Sequence, residues 1–164
     1  MRLPTYKRIW LSIGIFALAL VVASLVLTAQ LHLHPCHLCI VQRLLFILLG
    51  AFGLLAAIGL PRVFGGLSML ASATGIGVAS YQVWLQAQPA DPFSCTSGTP
   101  GWAEHLVDWL GRQAPDLFLA TGLCQDVELT ILKLSLAQWA LVAYSAALIA
   151  GIVAMRFRTK RPRG

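Results

Sequence analysis

Charge is scarce in this sequence. Of 164 residues only 11% are Asp, Glu, Lys or Arg, while 58% are apolar and the mean hydropathy is +0.77. An average soluble domain is about 25% charged and about 45–50% apolar. A chain this poor in charge has too few polar groups to cover a water-facing surface, which excludes an ordinary soluble domain. Intrinsic disorder is excluded as well, because it requires low hydrophobicity and high charge. Acids are rarer than bases, and all six (Asp91, Glu104, Asp108, Asp116, Asp126 and Glu128) fall between Gln86 and Lys133. Cysteine is limited to four residues. Ile40 follows Cys39, so the C-x-x-C-H signature of covalent haem attachment is missing, and no strand–helix–strand pattern of a thioredoxin domain surrounds the pair.

Long apolar runs are plentiful. The first, Ile9–Ala29, is broken only by Ser12, Ser24 and Thr28. At about 1.5 Å per residue it reaches roughly 31 Å, enough to cross a hydrocarbon core of about 30 Å. Arg2, Lys7 and Arg8 precede it as they would in a signal peptide. Signal-peptide apolar regions are shorter, however, at about 7–15 residues, and three more spans follow, so a retained helix is expected. The others are Ile40–Leu60, with Arg43 near its start, then Val63–Leu85 after the short Pro61-Arg62 turn, and Leu134–Met155. The sequence thus predicts an all-α membrane protein: one domain over 1–164, a four-transmembrane-helix antiparallel bundle with outer loops 30–39 and 86–133.

The charges orient it. Arg2, Lys7, Arg8, Arg62 and the tail Arg156, Arg158, Lys160, Arg161 and Arg163 stand in segments without any acid. The Gln86–Lys133 segment holds all six acids against Arg112 and Lys133. By the positive-inside rule both termini and Arg62 are cytoplasmic and the acidic loop is outside. The net charge of +6 therefore reports topology and not nucleic-acid binding. In the third run, Ala71, Gly75 and Ala79, and likewise Ala73 and Gly77, are spaced for close helix packing. In the acidic loop Trp102, Leu106, Trp109 and Leu110 form the apolar face of a short amphipathic helix. That helix either lies on the outer leaflet or packs on the bundle. Pro89, Pro92 and Gly98-Thr99-Pro100-Gly101 break up the chain around Cys95.

All four cysteines, Cys36, Cys39, Cys95 and Cys124, fall outside the cytoplasm under this topology, where disulfides persist. Cys36-His37-Leu38-Cys39 is a C-x-x-C pair able to close a small exchangeable ring. Cys39 sits where the second helix begins, at the positive end of its dipole, with Arg43 one turn below; both features favour a negative sulfur. Such a thiolate at the membrane boundary is placed to pass electrons to a lipid-soluble oxidant. Cys95 and Cys124 most simply form a disulfide across the long loop, either a structural staple or, in so open a setting, an exchangeable bond. A competing reading is a non-enzymatic membrane subunit, stapled by Cys95–Cys124 and holding zinc through Cys36, Cys39 and the flanking His32, His34 and His37. An arginine in Arg43's position is also often one that snorkels to lipid phosphates.

Pro35-Cys36-His37-Leu38-Cys39, Gln42-Arg43, Pro92-Phe93-Ser94-Cys95, Ala120-Thr121-Gly122-Leu123-Cys124 and Gln138-Trp139 together resemble the DsbB family of bacterial disulfide bond formation proteins. The resemblance covers essentially the whole chain, and two cysteine pairs in two outer loops is its specific part. It implies a quinone-dependent thiol:disulfide oxidoreductase of the bacterial inner membrane. Cys95 would be attacked by a reduced DsbA-like periplasmic oxidase, and Cys124 would be its partner and exchange with Cys36. Cys39, assisted by Arg43, would face ubiquinone or menaquinone, and no metal is expected. Members commonly carry a histidine near the quinone on the third span. The matching position here is Gln82, which can donate a hydrogen bond to a quinone but cannot supply charge. The vitamin K epoxide reductase family is also helical and quinone-linked, but places its C-x-x-C towards the end of the bundle.

Overall fold

The computed structural model describes residues 4–88, 102–118, 120, 122 and 129–159. Four helices are long and apolar enough to cross a membrane: α1 (Thr5–Leu31), α2 (His37–Ile58), α3 (Val63–Gln86) and α6 (Leu136–Thr159). Between α3 and α6 come α4 (Trp102–Gln113), the single turn α5 (Pro115–Phe118), and a hairpin of β1 (Thr130–Ile131) and β2 (Leu134–Ser135). The long helices pack as a closed ring in the order α1, α2, α3, α6. The protein is a multi-pass membrane protein. Its outward side chains agree, for Phe16, Val22, Ile58, Leu70, Ile149 and Phe157 are each more than half exposed. In water that surface would aggregate, whereas in lipid it meets its own kind of solvent.

Helix ends follow local chemistry. α1 stops at His32 in the left-handed region (φ 49°), and the Leu33 N–H returns to the Thr28 carbonyl at 3.2 Å. His32 therefore has a capping role. α2 begins at His37, three residues before the apolar run, because Cys36 is its N-cap and its sulfur accepts the Cys39 N–H at 3.4 Å. Cys39 thus lies inside the first turn. α6 opens on a reciprocal capping box: the Gln138 N–H donates to Ser135 Oγ at 3.3 Å, and the Ser135 N–H to Gln138 Oε1 at 2.8 Å. The Ser135 hydroxyl also donates to Gln86 Oε1 at 2.9 Å, joining the ends of α3 and α6. The hairpin turn puts Leu132 and Lys133 at positive φ (53° and 67°), a feature the apolar pattern does not announce.

In lipid, helices associate by van der Waals fit and not by hydrophobic burial, so small residues mark contacts. Gly14 of α1 and Gly53 of α2 bring backbones together: a Cβ on Gly53 would stand 3.2 Å from the Gly14 nitrogen. On α3, Ala71, Gly75 and Ala79 are buried as their spacing requires. The second set departs from expectation. Ala73 and Gly77 are exposed, and nothing lies within 4 Å of a Cβ built on Gly77. Two stripes cannot both face the neighbours of a helix already flanked by α2 and α6. α4 shows the same division: Val107 is buried with Ile40 and Phe118, while Leu106 and Trp109 point outward.

Candidate functional site

Among the described residues, the Cys36 end of the bundle collects most of the buried polar side chains. Gln42 and Arg43 are each 6% exposed and Gln82 is 2% exposed, in a region otherwise built from apolar residues. Buried polar groups are costly unless partnered, and here Gln82, with Gln42 behind it, takes its partners from sulfur. Cys36 Sγ and Cys39 Sγ are not covalently joined and lie 3.1 Å apart, the Cys36 thiol donating to Cys39. Gln82 Nε2 donates to Cys39 Sγ at 3.1 Å and to Cys36 Sγ at 3.6 Å. Gln82 Oε1 in turn accepts from Gln42 Nε2 at 2.8 Å. The Cys39 sulfur thus receives two donors at the start of α2, where backbone N–H groups point outward without intrahelical acceptors.

Arg43, one turn beyond Cys39, is tied down by neutral groups. Nη1 donates to the Leu117 carbonyl at 2.7 Å, and Nη2 to Ser24 Oγ at 3.0 Å and Thr28 Oγ1 at 3.2 Å. Its Nε is buried without a hydrogen-bond partner, and among the described residues no carboxylate is ion-paired with it. Arg43 therefore binds α2 to α1 and to α5 while keeping an unneutralised charge beside the cysteine pair. This is not a side chain that reaches for lipid phosphates.

The acidic loop is docked on this end. Ile40, Val107 and Phe118 form a small apolar cluster, and His37 Nε2 approaches Asp108 Oδ1 at 3.5 Å. The Gly122 N–H donates to the Pro35 carbonyl at 3.2 Å, and a Cβ on Gly122 would collide with the His34 carbonyl oxygen. The chain just before Cys124 therefore runs against the residues just before Cys36. Of the candidate residues, Cys36, Cys39, Arg43 and Gln82 are brought together, while Cys95 and Cys124 lie outside the described residues. Among the described residues no three His, Cys, Asp or Glu side chains gather as a metal set. Gln42 enters the sequence reading only through the Gln42-Arg43 motif; its bond to Gln82 and the His37–Asp108 contact were missed. A polar residue three positions after Cys39 within an apolar run was the available signal for Gln42.

The family model described as disulfide bond formation protein DsbB matches residues 6–154. Curated relatives named disulfide bond formation protein B are similar over most of their length. The one from Dechloromonas aromatica is 43% identical, covering 90% of this chain and 88% of the relative. Those from Azoarcus sp. and Saccharophagus degradans are 34% and 36% identical, covering 88% and 87% of this chain and 90% and 89% of the relatives. With the cysteine pair, the buried arginine and four spanning helices in place, the chain belongs to the DsbB family of disulfide bond formation proteins.

Proposed function

We propose that this protein reoxidises a DsbA-like periplasmic thiol oxidase and passes the electron pair to membrane ubiquinone or menaquinone. Family membership supports the coarser role, that of a thiol:disulfide oxidoreductase in disulfide bond formation. The observation that carries the finer reading is the unneutralised Arg43 beside the Cys36–Cys39 pair, in a helix long and apolar enough to span the membrane. Both termini would be cytoplasmic and the cysteines would face the periplasm of the inner membrane, a reading supported by the placement of the acids and bases.

In this reading Cys95 is attacked by the reduced partner, and Cys124 is released as a thiol. Cys124 then exchanges with Cys36, and the chain's approach at Gly122 and Pro35 favours that exchange. Cys39 is left carrying the electron pair, beside the Arg43 guanidinium and the Gln82 amide. The residues present fit a quinone headgroup, since Arg43 Nε is a buried donor in want of an acceptor and, among the described residues, no carboxylate is paired with it. Arg43 would hold the headgroup oxygen, and the bound quinone would supply a two-electron, two-proton acceptor. An acceptor of that kind is needed because a DsbA-type couple, near about −120 mV, is too oxidising to be regenerated by an ordinary thiol pool.

The test uses purified protein, reduced DsbA and added quinone. Cys39→Ser should stop quinone reduction, and Cys95→Ser should stop acceptance of electrons from DsbA. Quinone turnover that survives both substitutions overturns the reading. Stoichiometric zinc with no bound quinone would favour the non-enzymatic subunit.

A further inference from the structure

Two buried amides lie next to the sulfurs, and their order has a chemical consequence. Gln82 uses both ends of its side chain: Oε1 accepts from Gln42 Nε2 at 2.8 Å, and Nε2 donates to Cys39 Sγ at 3.1 Å and Cys36 Sγ at 3.6 Å. Only the nitrogen end suits a thiolate. Turned end for end, the amide oxygen could accept from a thiol S–H but would set its lone pairs against those of a thiolate. With Gln42 presenting its NH₂ group, as it does here, Gln82 meets it through oxygen and keeps its nitrogen for sulfur. Gln42 is itself on α2, one turn from Cys39, and its backbone carbonyl accepts the Tyr144 hydroxyl at 2.7 Å.

We propose that Gln82 is the hydrogen-bond donor that holds Cys39 as a thiolate, and that Gln42 is the positioning residue that keeps the nitrogen of Gln82 facing sulfur. The proposal rests on Cys39 being the reactive sulfur of the pair. When the Cys36–Cys39 disulfide is opened, an incoming thiolate bonds to Cys36 Sγ and the sulfur–sulfur bond breaks. The electron pair of that bond stays on Cys39, and no proton need be delivered. A better-stabilised leaving thiolate departs faster. Gln82 and Gln42 assist through hydrogen bonds alone, without adding a charge to the membrane boundary, and Gln82 reaches the sulfur from the α3 side.

The experiment reads Cys39 directly in quinone-free, detergent-purified protein carrying Cys95→Ala and Cys124→Ala. After reduction, the rate of iodoacetamide alkylation at Cys39 is followed by peptide mass spectrometry at neutral pH, since the thiolate is the species that reacts. Gln82→Met should slow Cys39 about tenfold, the size of one hydrogen bond to a charged group. Gln42→Leu should slow it about threefold or more, and should add nothing once Gln82→Met is present, because the two act as one unit. Should Gln82→Met fail to fold, Gln82→Asn is a methylene too short to reach sulfur and carries the same expectation. An unchanged Cys39 rate in a folded Gln82 variant overturns the proposal. So do independent, multiplicative effects, or a Gln42→Leu protein that loses thermal stability while Cys39 keeps its rate. If these rates behave as expected but no quinone turnover is found, the proposed function falls and this assignment stands.

Discussion

The two ends of the helix ring are closed by different means. At the end carrying the α2–α3 turn the closure is steric. Trp10 of α1 is 1% exposed and lies over Gly65 of α3 and Gly151 of α6, where added Cβ atoms would come within 2.8 and 3.2 Å of its ring. Its indole N–H is buried without a partner. At the Cys36 end the closure is polar: Arg43 reaches α1 and α5, Gln42 meets Gln82 across to α3, and Ser135 joins Gln86. Shape suffices to hold helices together in lipid, so an interior polar network is not required for assembly. Its concentration around two sulfurs argues that this end is built for chemistry and the other for stability.

Substitutions that separate the two ends test that division, and the largest effect is expected at Arg43. Arg43→Met removes the charge beside Cys39, and kcat/KM for quinone should fall by about 10²-fold or more, the loss typical of an electrostatic donor at a reacting centre. Arg43→Lys keeps the charge but cannot fork between Leu117, Ser24 and Thr28, so it should recover only part of the rate. Trp10→Ala should do the reverse. Emptying that site should cost about 3 kcal/mol of stability, read as a lower thermal midpoint, with turnover per folded molecule unchanged. A Trp10→Ala protein that stays stable but loses turnover would show that the ends do not divide the labour.

A finer comparison lies within α3. The Gly75→Ala methyl would stand 2.5 Å from the Tyr144 ring, which is wholly buried and stacked on Phe46 at 4.0 Å. Overpacking of this kind costs about 1–3 kcal/mol. Gly77→Ala meets nothing within 4 Å and should be neutral, or stabilising by up to about 1 kcal/mol through helix propensity. Thermal midpoints of the two variants should therefore move apart. Equal shifts would mean that α3 presents a different face to α6.

Much of this was legible before any coordinates. Span count, the short amphipathic helix and the special standing of Cys36, Cys39 and Arg43 follow from run length, helical spacing and residue chemistry. Cys39 stands at the start of α2 as its place before the apolar run suggests, but the helix begins at His37, because an apolar run marks where a helix enters lipid and not where its capping sulfur lies. The apolar run from Leu134 hid the capping box Ser135-Leu136-Ala137-Gln138, which places the start of α6 after two residues of strand. The roles of Ala71 and Ala73 could not be told apart, since spacing is the same in both stripes and only neighbouring helices distinguish them. Gln82 was expected to face quinone through its family position. Its contacts with both sulfurs depend on Gln42, forty residues away in sequence, a pairing that no local pattern encodes.

The smallest effect should come from the most visible polar contact at the Cys36 end, between His37 and Asp108. His37 and Asp108 approach at 3.5 Å, but their side chains are 38% and 59% exposed. Exposed pairs contribute about 0–1 kcal/mol and are weakened by salt. α4 is held beside α2 more firmly by the buried Val107, packed with Ile40 and Phe118, and the Arg43 bond to the Leu117 carbonyl anchors the adjoining α5. Asp108→Asn should therefore shift stability by no more than about 0.5 kcal/mol, with the shift vanishing at high salt, whereas Val107→Ala should loosen α4 at any ionic strength. Hydrogen exchange of the α4 amides in the two variants measures the difference. If Asp108→Asn opened α4 more than Val107→Ala, exposed charge would be what docks the acidic loop, and burial would no longer distinguish the polar contacts that matter at this end.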